Sequence, residues 1–211
     1  MYETFKTSYM RDDKGYLISE KSHDITVITT GGTIDKSYDE SDGSLKNRES
    51  LIADSIGNHL RLPYTNIEFI SVMSKDSLDM TDRDRDVIVD TLLQQIPLEN
   101  PLVVIHGTDT MAESADYCSR HIKAPAIPII FTGAMSPLGL ANSDAMQNIA
   151  EALLAAKLLP GGIYICFHNQ IFPVPGTRKN RDKGTFEMID WNQVKSIKDR
   201  DRKSALAPQY L

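Results

Sequence analysis

Residues 25–34 read ITVITTGGTI, an apolar β-type run followed directly by a turn rich in threonine and glycine. A second stretch repeats this arrangement, since the apolar run 102–105 is followed by HGTDT at residues 106–110. Small residues just past a strand allow a sharp turn and a close approach of the backbone to a ligand. In open α/β sheets, ligands bind beyond the carboxyl ends of the strands. Together, the two turns predict a ligand site lined by hydroxyl groups.

Strand and helix patterns alternate along the chain from residue 24 onward. The strand patterns are short continuous apolar runs, which are typical of parallel strands covered on both faces. This order predicts an α/β fold with a doubly wound, mostly parallel sheet and helices on both faces, in a single domain. The predicted strands are 25–30, 67–72, 102–106, 127–132 and 163–167, and the predicted helices are 48–58, 82–95, 111–121 and 143–158.

Two of the predicted helices begin at a hydroxyl residue suited to the N-cap position. Thr81 precedes the helix at 82–95, and Ser143 opens the helix at 143–158. In the first of these helices, the spacing places Val87, Leu92 and Ile96 toward the core.

The length of 211 residues suits one α/β domain with flanking segments. Residues 1–23 show no sustained apolar period, so we expect an N-terminal extension, either disordered or with a small hairpin near residues 16–18. Residues 24–190 form the predicted domain. Residues 191–211 form a C-terminal tail, charged and then apolar.

The composition limits the partners of the protein. A net charge of -6 argues against nucleic-acid binding, which needs clustered cations. No stretch approaches the roughly 20 apolar residues of a membrane span, and the first 20 residues lack the apolar core of a signal peptide. We therefore expect a cytoplasmic protein that does not bind membranes.

Cofactors are not expected either. The five histidines and two cysteines lack metal-ligand spacing, and the sequence has neither the dinucleotide-binding G-x-G-x-x-G nor a P-loop. Cys118 and Cys166 are expected to be small buried hydrophobes, without need of a disulfide.

Thr33 and Tyr38 are the first candidates for chemistry. A threonine hydroxyl becomes a nucleophile only when a base accepts its proton and donors hold the developing charge. Tyr38 follows within five residues, in a polar segment expected to be a mobile loop, and its phenol could reach Thr33. A turn threonine and a surface tyrosine are an equally good interpretation of this segment alone.

The second turn offers Thr108 beside Asp109. A carboxylate here can hold a ligand ammonium group while the Thr108 hydroxyl faces the reacting carbon. His106 could serve as a base, but a histidine at the end of a buried strand is more often a hydrogen-bonded core residue.

Two further candidates lie in other loops. Ser77 lies past the strand at 67–72, where polar side chains and N–H groups at the start of a helix suit a ligand carboxylate; an ordinary capping loop is the alternative. Lys179 lies in the cationic run 178–181, which is usually a solvated face. A partly buried lysine close to a hydroxyl can accept its proton, so Lys179 is a candidate base.

The motifs TGGTI at 30–34 and HGTDTM at 106–111 together resemble the L-asparaginase family of bacterial type, which uses threonine nucleophiles. FTGAM at 131–135, NSD at 142–144 and the lysine at 179 are similar to that family as well. The similarity runs from about residue 24 to 187. TGGTIDK at 30–36 and KDSLDMTD at 75–82 resemble the short, single-domain cytoplasmic members in particular.

The resemblance implies roles for these residues. Thr33 would attack the side-chain amide carbon with assistance from Tyr38. Thr108, Asp109 and Lys179 would form a second catalytic cluster, with Lys179 accepting the Thr108 proton. Which threonine forms the acyl bond stays open.

The resemblance also implies a substrate-binding set. Ser77 and Asp109 would hold the α-carboxylate and the α-ammonium group, and the Thr108 N–H would face the oxyanion. Gly32 and Gly107 would leave room for the ligand. Longer members have a second domain, and this sequence ends at Leu211, so we expect a site closed by an oligomer or a more open one.

The function implied by the resemblance is hydrolysis of L-asparagine to L-aspartate and ammonia through an acyl-threonine intermediate, without metal or cofactor. One methylene group is worth only about 1–3 kcal/mol of discrimination, so glutaminase or other ω-amidase activity is an alternative. A catalytically silent amino-acid sensor is another. The expected partners are a small amino-acid substrate and further copies of the chain in a dimer or tetramer.

Overall fold

A six-stranded sheet forms the centre of the fold. The computed structural model describes residues 22–32, 34 and 52–189, together with the backbone of four short strands at 10–11, 17–18, 36–39 and 44–47. The strands are β1 (Met10–Arg11), β2 (Leu17–Ile18), β3 (His23–Thr29), β4 (Lys36–Asp39), β5 (Ser44–Asn47), β6 (Thr65–Ser71), β7 (Leu102–Ile105), β8 (Pro128–Thr132), β9 (Gly162–Phe167), β10 (Gln170–Pro173), β11 (Thr177–Asn180) and β12 (Thr185–Met188). The α-helices are α1 (Ile52–His59), α2 (Asp82–Gln95), α3 (Met111–His121) and α4 (Ala145–Leu158).

The strand order of this sheet is β10-β9-β8-β7-β3-β6, and all neighbouring strands are parallel except the pair β9 and β10. After β3 the chain moves to β6 on one side, and it then returns to β7 on the other side of β3. The direction of winding therefore reverses between β3 and β7. In doubly wound sheets, such a switch point opens a crevice beyond the carboxyl ends of the strands.

Helices cover both faces of the sheet, each with its own apolar core. Residues of α2 and α3 pack on one face, where the fully buried side chains include Leu92 and Met111. Residues of α1 and α4 pack on the other face, where Ile52 and Ile149 are fully buried. Burial on both faces explains the continuous apolar strand patterns and confirms the predicted α/β fold class.

The five predicted strands and four predicted helices are present, with small differences at their ends. α2 has the predicted bounds, and Thr81 caps it in a capping box with Asp84. α4 begins at Ala145 with Asp144 in the N-cap position, while the Ser143 hydroxyl accepts a hydrogen bond from the Ala145 N–H. The prediction of Ser143 as N-cap was therefore wrong by one residue.

One predicted core contact in α2 is wrong. Leu92 is fully buried and Ile96 packs partly buried against the core, but Val87 is 44% exposed. Ile88 and Val89 are buried in its place, and Arg85, one turn before Val89, faces the interior as well. The apolar face of α2 is thus rotated by about one residue from the predicted one.

Three short strands near the end of the described chain lie outside the predicted set. β10 pairs antiparallel with β9 at the sheet edge, and β11 pairs with β12 in a separate hairpin. β1 and β2 also form an antiparallel pair, as the hairpin alternative predicted for this region. The division of the chain at residues 23 and 190 stays a prediction.

The sequence also allowed predictions about the two cysteines, about metal ligands and about membrane spans. Cys118 and Cys166 are buried free thiols, and burial raises their pKa values to about 12 and about 11. Within the described part of the chain, no three histidine, cysteine or acidic side chains cluster as metal ligands. The helices described there are likewise too short or too polar to cross a bilayer.

Candidate active site

The two threonine turns lie side by side at the switch point. Thr30 follows β3, and both its N–H and its hydroxyl donate to the Ile105 carbonyl at the end of β7, at 3.1 and 3.0 Å. The Thr30 carbonyl accepts from the Lys75 N–H in the loop after β6, at 3.2 Å. Thr30 thus joins three strand ends, and this explains why a buried threonine occupies the first position of the turn.

Glycine backbones bring these turns into direct contact. Gly32 has a φ of +99°, and a Cβ atom at this position would lie 2.6 Å from the Gly107 N and Cα atoms. A Cβ atom on Gly107 would lie 2.5 Å from the Ser77 Oγ atom. The backbone of one turn therefore occupies the space that a side chain would fill in the next. Gly32, Gly107 and Ser77 come together as predicted.

Ser77 opens a single 3-10 turn, Ser77–Asp79, and is 2% exposed. The side chain of Asp76 caps this turn by accepting from the Leu78 N–H. The Ser77 carbonyl accepts from the Thr110 hydroxyl at 2.8 Å, and this bond ties the loop to the second threonine turn. Ser77 therefore lies in a capped turn, as in the capping-loop interpretation, and it also lies beside Gly107 of the second threonine turn.

Lys179 meets the second turn from the far side of the crevice. Its Nζ atom donates to the Thr108 hydroxyl at 2.8 Å and to Asp109 Oδ1 at 3.1 Å, although about 70 residues separate these groups in the sequence. The side chains of Lys179 and Asp109 are 15% and 24% exposed, and Thr108 is 3% exposed. The structure thus brings the three predicted cluster residues together. A lysine amine held against a largely buried hydroxyl suits nucleophilic catalysis.

Arg181 is a further residue at this cluster. Its Nη1 atom lies 2.9 Å from Asp109 Oδ1, the same oxygen that Lys179 contacts. The sequence signal for it is weak, because Arg181 lies two residues after Lys179 but follows the end of β11 at Asn180, beyond which the alternation of side chains along a strand no longer applies.

Three other side chains of the β11–β12 hairpin contact Glu187. Asn180 Nδ2 donates to it at 2.6 Å, Arg178 Nη2 donates at 2.8 Å, and Lys183 Nζ lies at 3.7 Å. The hydrogen bond from Asn180 and then that from Arg178 lower the pKa of Glu187 below its ordinary value. The cationic run at 178–181 is therefore divided between a solvated face and the crevice.

Thr33 and Tyr38 complete the predicted site set. Thr33 and the side chain of Tyr38 lie outside the described residues, so their catalytic roles stay predictions. The described neighbours of Thr33 are Gly32, which packs on Gly107, and Ile34, which is 2% exposed. The backbone at Tyr38 belongs to β4, where it pairs with Leu45 of β5.

His106 is a core residue with no exposed surface. Its Nδ1 atom lies 2.8 Å from the Gly107 carbonyl and donates to it in the neutral tautomer, whereas Nε2 has no hydrogen-bond partner among the described residues. Burial, aided by the charge of Arg85, lowers the pKa of His106 to about 4. The imidazole is therefore neutral near pH 7, and its burial favours the core interpretation over that of a catalytic base.

This burial predicts a pH dependence of stability. The unfolded chain protonates His106 below its ordinary pKa of about 6.5, but the folded chain does so only near 4. The free energy of unfolding should therefore fall by up to about 3 kcal/mol from this group between these pH values, and none of this stability is lost above 6.5. Urea titrations of the wild type and His106→Asn measure the effect.

The comparison of the two proteins isolates the contribution of the imidazole, because all other titrating groups are shared. The stability of the wild type relative to His106→Asn should decrease steadily as pH falls from 7 to 4. A constant difference over this range would show that His106 is accessible to protons in the folded protein.

The motifs at 131–135 and 142–144 form a network at the end of β8. Asp144 accepts hydrogen bonds from the N–H groups of Met135 and Ser136, each at 3.0 Å, and from Asn148 Nδ2, and it pairs with His168 Nε2 at 2.9 Å. Burial opposes ionisation of Asp144, but the N–H groups of Met135 and Ser136, together with His168 and the backbone N–H of Asp144 itself, outweigh it and lower its pKa. These contacts shape the loop after β8, and none of them includes Thr108.

The fold and these contacts define a class of protein, namely an α/β protein with a lysine-paired threonine at the switch point of its sheet, an arrangement suited to acyl transfer. A family model described as "Asparaginase, N-terminal" matches residues 24–207. The chain belongs to the asparaginase family. This result confirms the resemblance drawn from the two threonine motifs.

Individual relatives agree with this assignment. The L-asparaginase of Thermococcus kodakarensis is 29% identical over 181 residues, which cover 82% of this chain and 53% of the relative. A subunit of the glutamyl-tRNA(Gln) amidotransferase of Methanosphaera stadtmanae is 29% identical over 154 residues, covering 72% and 34%. Among solved structures, the thermostable L-asparaginase from Thermococcus kodakarensis matches with a TM-score of 0.71 and 27% identity, over 79% of this chain and 51% of that one. The chain spans about half the length of the L-asparaginase relatives.

Proposed function

We propose that this protein hydrolyses L-asparagine to L-aspartate and ammonia through an acyl-threonine intermediate. The observation that carries the proposal is the contact of Lys179 Nζ with both the Thr108 hydroxyl and the Asp109 carboxylate, at 2.8 and 3.1 Å. Membership of the asparaginase family supports the reaction class. The similarity to the L-asparaginase of Thermococcus kodakarensis supports the choice of asparagine.

The proposed chemistry needs an activated hydroxyl and a stabilised oxyanion. In this step Lys179 is a neutral amine, and its Nζ atom accepts the Thr108 proton. Before the transfer, the Thr108 hydroxyl is the donor of the hydrogen bond between them, and Nζ is the acceptor. A threonine oxygen bonds to the amide carbon, the carbon–nitrogen bond breaks, and the nitrogen leaves as ammonia after receiving a proton. Water then cleaves the acyl-threonine ester and releases the acid. The Thr108 N–H is the proposed donor to the oxyanion.

Substrate binding is assigned to the groups that surround this cluster. We place the α-carboxylate at Ser77 and the α-ammonium group at Asp109, with Gly32 and Gly107 leaving room for the ligand. The close packing of Gly107 against Ser77 brings the Ser77 loop against the second turn, which supports assigning both substrate groups to one site. Thr33, assisted by Tyr38, remains the other proposed nucleophile.

Ammonia release by the purified protein tests the proposal. L-Asparagine and L-glutamine are supplied separately at up to tens of millimolar near neutral pH, and ammonia and the amino-acid product are quantified. We expect equimolar ammonia and L-aspartate from asparagine. Lys179→Met keeps a side chain of similar length without an amine, so it should reduce release to background and exclude a contaminating enzyme.

Glutamine is the second candidate substrate. The similarity to a subunit of an amidotransferase named for glutamyl-tRNA(Gln) favours its inclusion. A higher kcat/KM for glutamine than for asparagine would replace the proposed substrate while keeping the amidohydrolase chemistry. Tight asparagine binding without any ammonia would instead support the sensor hypothesis and overturn the hydrolase proposal.

The cellular setting and assembly belong to the same proposal. A small amino-acid substrate, a cytoplasmic location and a dimer or tetramer stay predictions. The oligomeric state bears directly on the site, because a copy of the chain could close the crevice above Thr108. Light scattering at the concentration of the activity assay measures this state.

A further inference from the structure

Arg181 lies at the candidate site but has no role in the proposed reaction. It follows β11 directly and reaches across the crevice to Asp109 Oδ1 at 2.9 Å, while Lys179 contacts the same oxygen at 3.1 Å. Its side chain is 69% exposed, so the guanidinium lies at the mouth of the site. Its contact with Asp109 is an ion pair through Nη1, and a guanidinium has five N–H donors in all.

We propose that Arg181 determines specificity by weakening the requirement for an α-ammonium group, so that the site also accepts ω-monoamides of dicarboxylic acids that lack this group. The inference rests on the proposed function, since it assigns the α-ammonium site to Asp109. It identifies a wider substrate class for that same site. Succinamic acid, which is asparagine without its amino group, represents this class.

The charges around Asp109 carry the argument. Lys179 and Arg181 contact the same oxygen of Asp109, and the Arg181 guanidinium balances the charge of this carboxylate even when Lys179 is the neutral amine that the proposed reaction needs. In the loop that carries Ser77, Lys75 is already paired with Asp84 at 2.7 Å. An incoming ammonium group therefore meets a carboxylate that Arg181 already neutralises.

The geometry of Arg181 also fits recognition of an anion. An arginine guanidinium offers parallel N–H donors that match a carboxylate, and its remaining donors lie at the solvent-facing side of the cluster. A substrate ammonium gains no such partner and must share Asp109 with the Arg181 guanidinium.

Arg178 provides a matched control within the same hairpin. It lies three residues before Arg181 and carries the same charge, but it pairs with Glu187 at 2.8 Å rather than with Asp109. Its side chain is 61% exposed, close to the value for Arg181. Replacing either arginine by glutamine removes one positive charge from the hairpin, and only Arg181→Gln removes an ion pair of Asp109.

The experiment measures binding of L-aspartate and succinate by calorimetry to the wild type, Arg181→Gln and Arg178→Gln. These two ligands share both carboxylates and differ by the ammonium group. We expect Arg181→Gln to shift the ratio of the two Kd values toward aspartate by about fivefold, the size expected for a partly exposed charge pair. Arg178→Gln should shift this ratio less than twofold. The kcat/KM ratio of asparagine to succinamic acid should change in the same direction.

Three outcomes would overturn the inference: an unchanged ratio in Arg181→Gln, an equal shift in Arg178→Gln, or no binding of either dicarboxylate to the wild type. Failure of the proposed function looks different, since it would appear as dicarboxylate binding without ammonia release from any amide. Both arginine side chains are largely exposed, and equal melting temperatures of the three proteins confirm that the fold is intact.

Discussion

Thr108→Ala is expected to lower kcat for asparagine hydrolysis by about 1,000-fold or more, as when one member of a catalytic cluster is removed. The hydroxyl is the group that Lys179 Nζ contacts at 2.8 Å, so the variant removes the proton donor of the proposed step. Lys179 keeps its contact with Asp109, and the charge of the site does not change. The loss should therefore fall on kcat, with a small effect on KM.

Thr108→Ser is the matched control, because it retains the hydroxyl and lacks only a methyl group. We expect it to keep activity within about tenfold of the wild type, since the attacking oxygen and its lysine partner remain. Steady-state ammonia release measures both variants, and melting temperatures confirm that each one folds. Wild-type turnover in Thr108→Ala would exclude the proposed role of this hydroxyl.

Gly32→Ala is expected to lower the free energy of unfolding by about 2–4 kcal/mol and to abolish activity. Two causes add together at this position. A φ of +99° is unfavourable for alanine, and the new Cβ atom would lie 2.6 Å from the Gly107 backbone. The two threonine turns must then separate, and this moves Thr108 away from the first turn.

Gly57→Ala is the control for the loss of a glycine. Gly57 is an exposed residue within α1, and a Cβ atom there meets no other group within 4 Å. Alanine is the better helix former by about 1 kcal/mol, so this variant should be more stable than the wild type. Urea unfolding followed by circular dichroism measures both effects. Equal stability of the two variants would show that the turns tolerate a side chain between them.

Much of the fold was predictable because its signals are local. Parallel strands buried on both faces need continuous apolar runs, and helix starts need capping groups such as Thr81, which forms a capping box with Asp84. The strands β10, β11 and β12 were missed because four-residue antiparallel strands with mixed side chains carry little periodic signal. Val87 was misplaced because its exposure depends on how α2 is rotated against the sheet.

In the candidate site, too, some features follow from local sequence and others depend on tertiary contacts. Glycine-rich turns after buried strands predicted that Gly32, Gly107 and Thr108 lie at one edge of the sheet, since the position of a turn follows from its own sequence. The contact of Arg181 with Asp109 depends on a hairpin about 70 residues further along the chain. No local pattern determines which of two neighbouring arginines faces the crevice.

By itself, the sequence determined the α/β fold class, the family and the residue types at the strand ends, because backbone conformation and burial act over a few residues. Tertiary structure alone decided which charges meet at Asp109 and that His106 is neutral in the core. The physical reason is that charges and packed side chains interact according to their distance in the folded structure, and not according to their separation in the sequence. The winding reversal between β3 and β7 brings Thr30 against Ile105, and the hairpin beyond β10 brings Lys179 to Thr108.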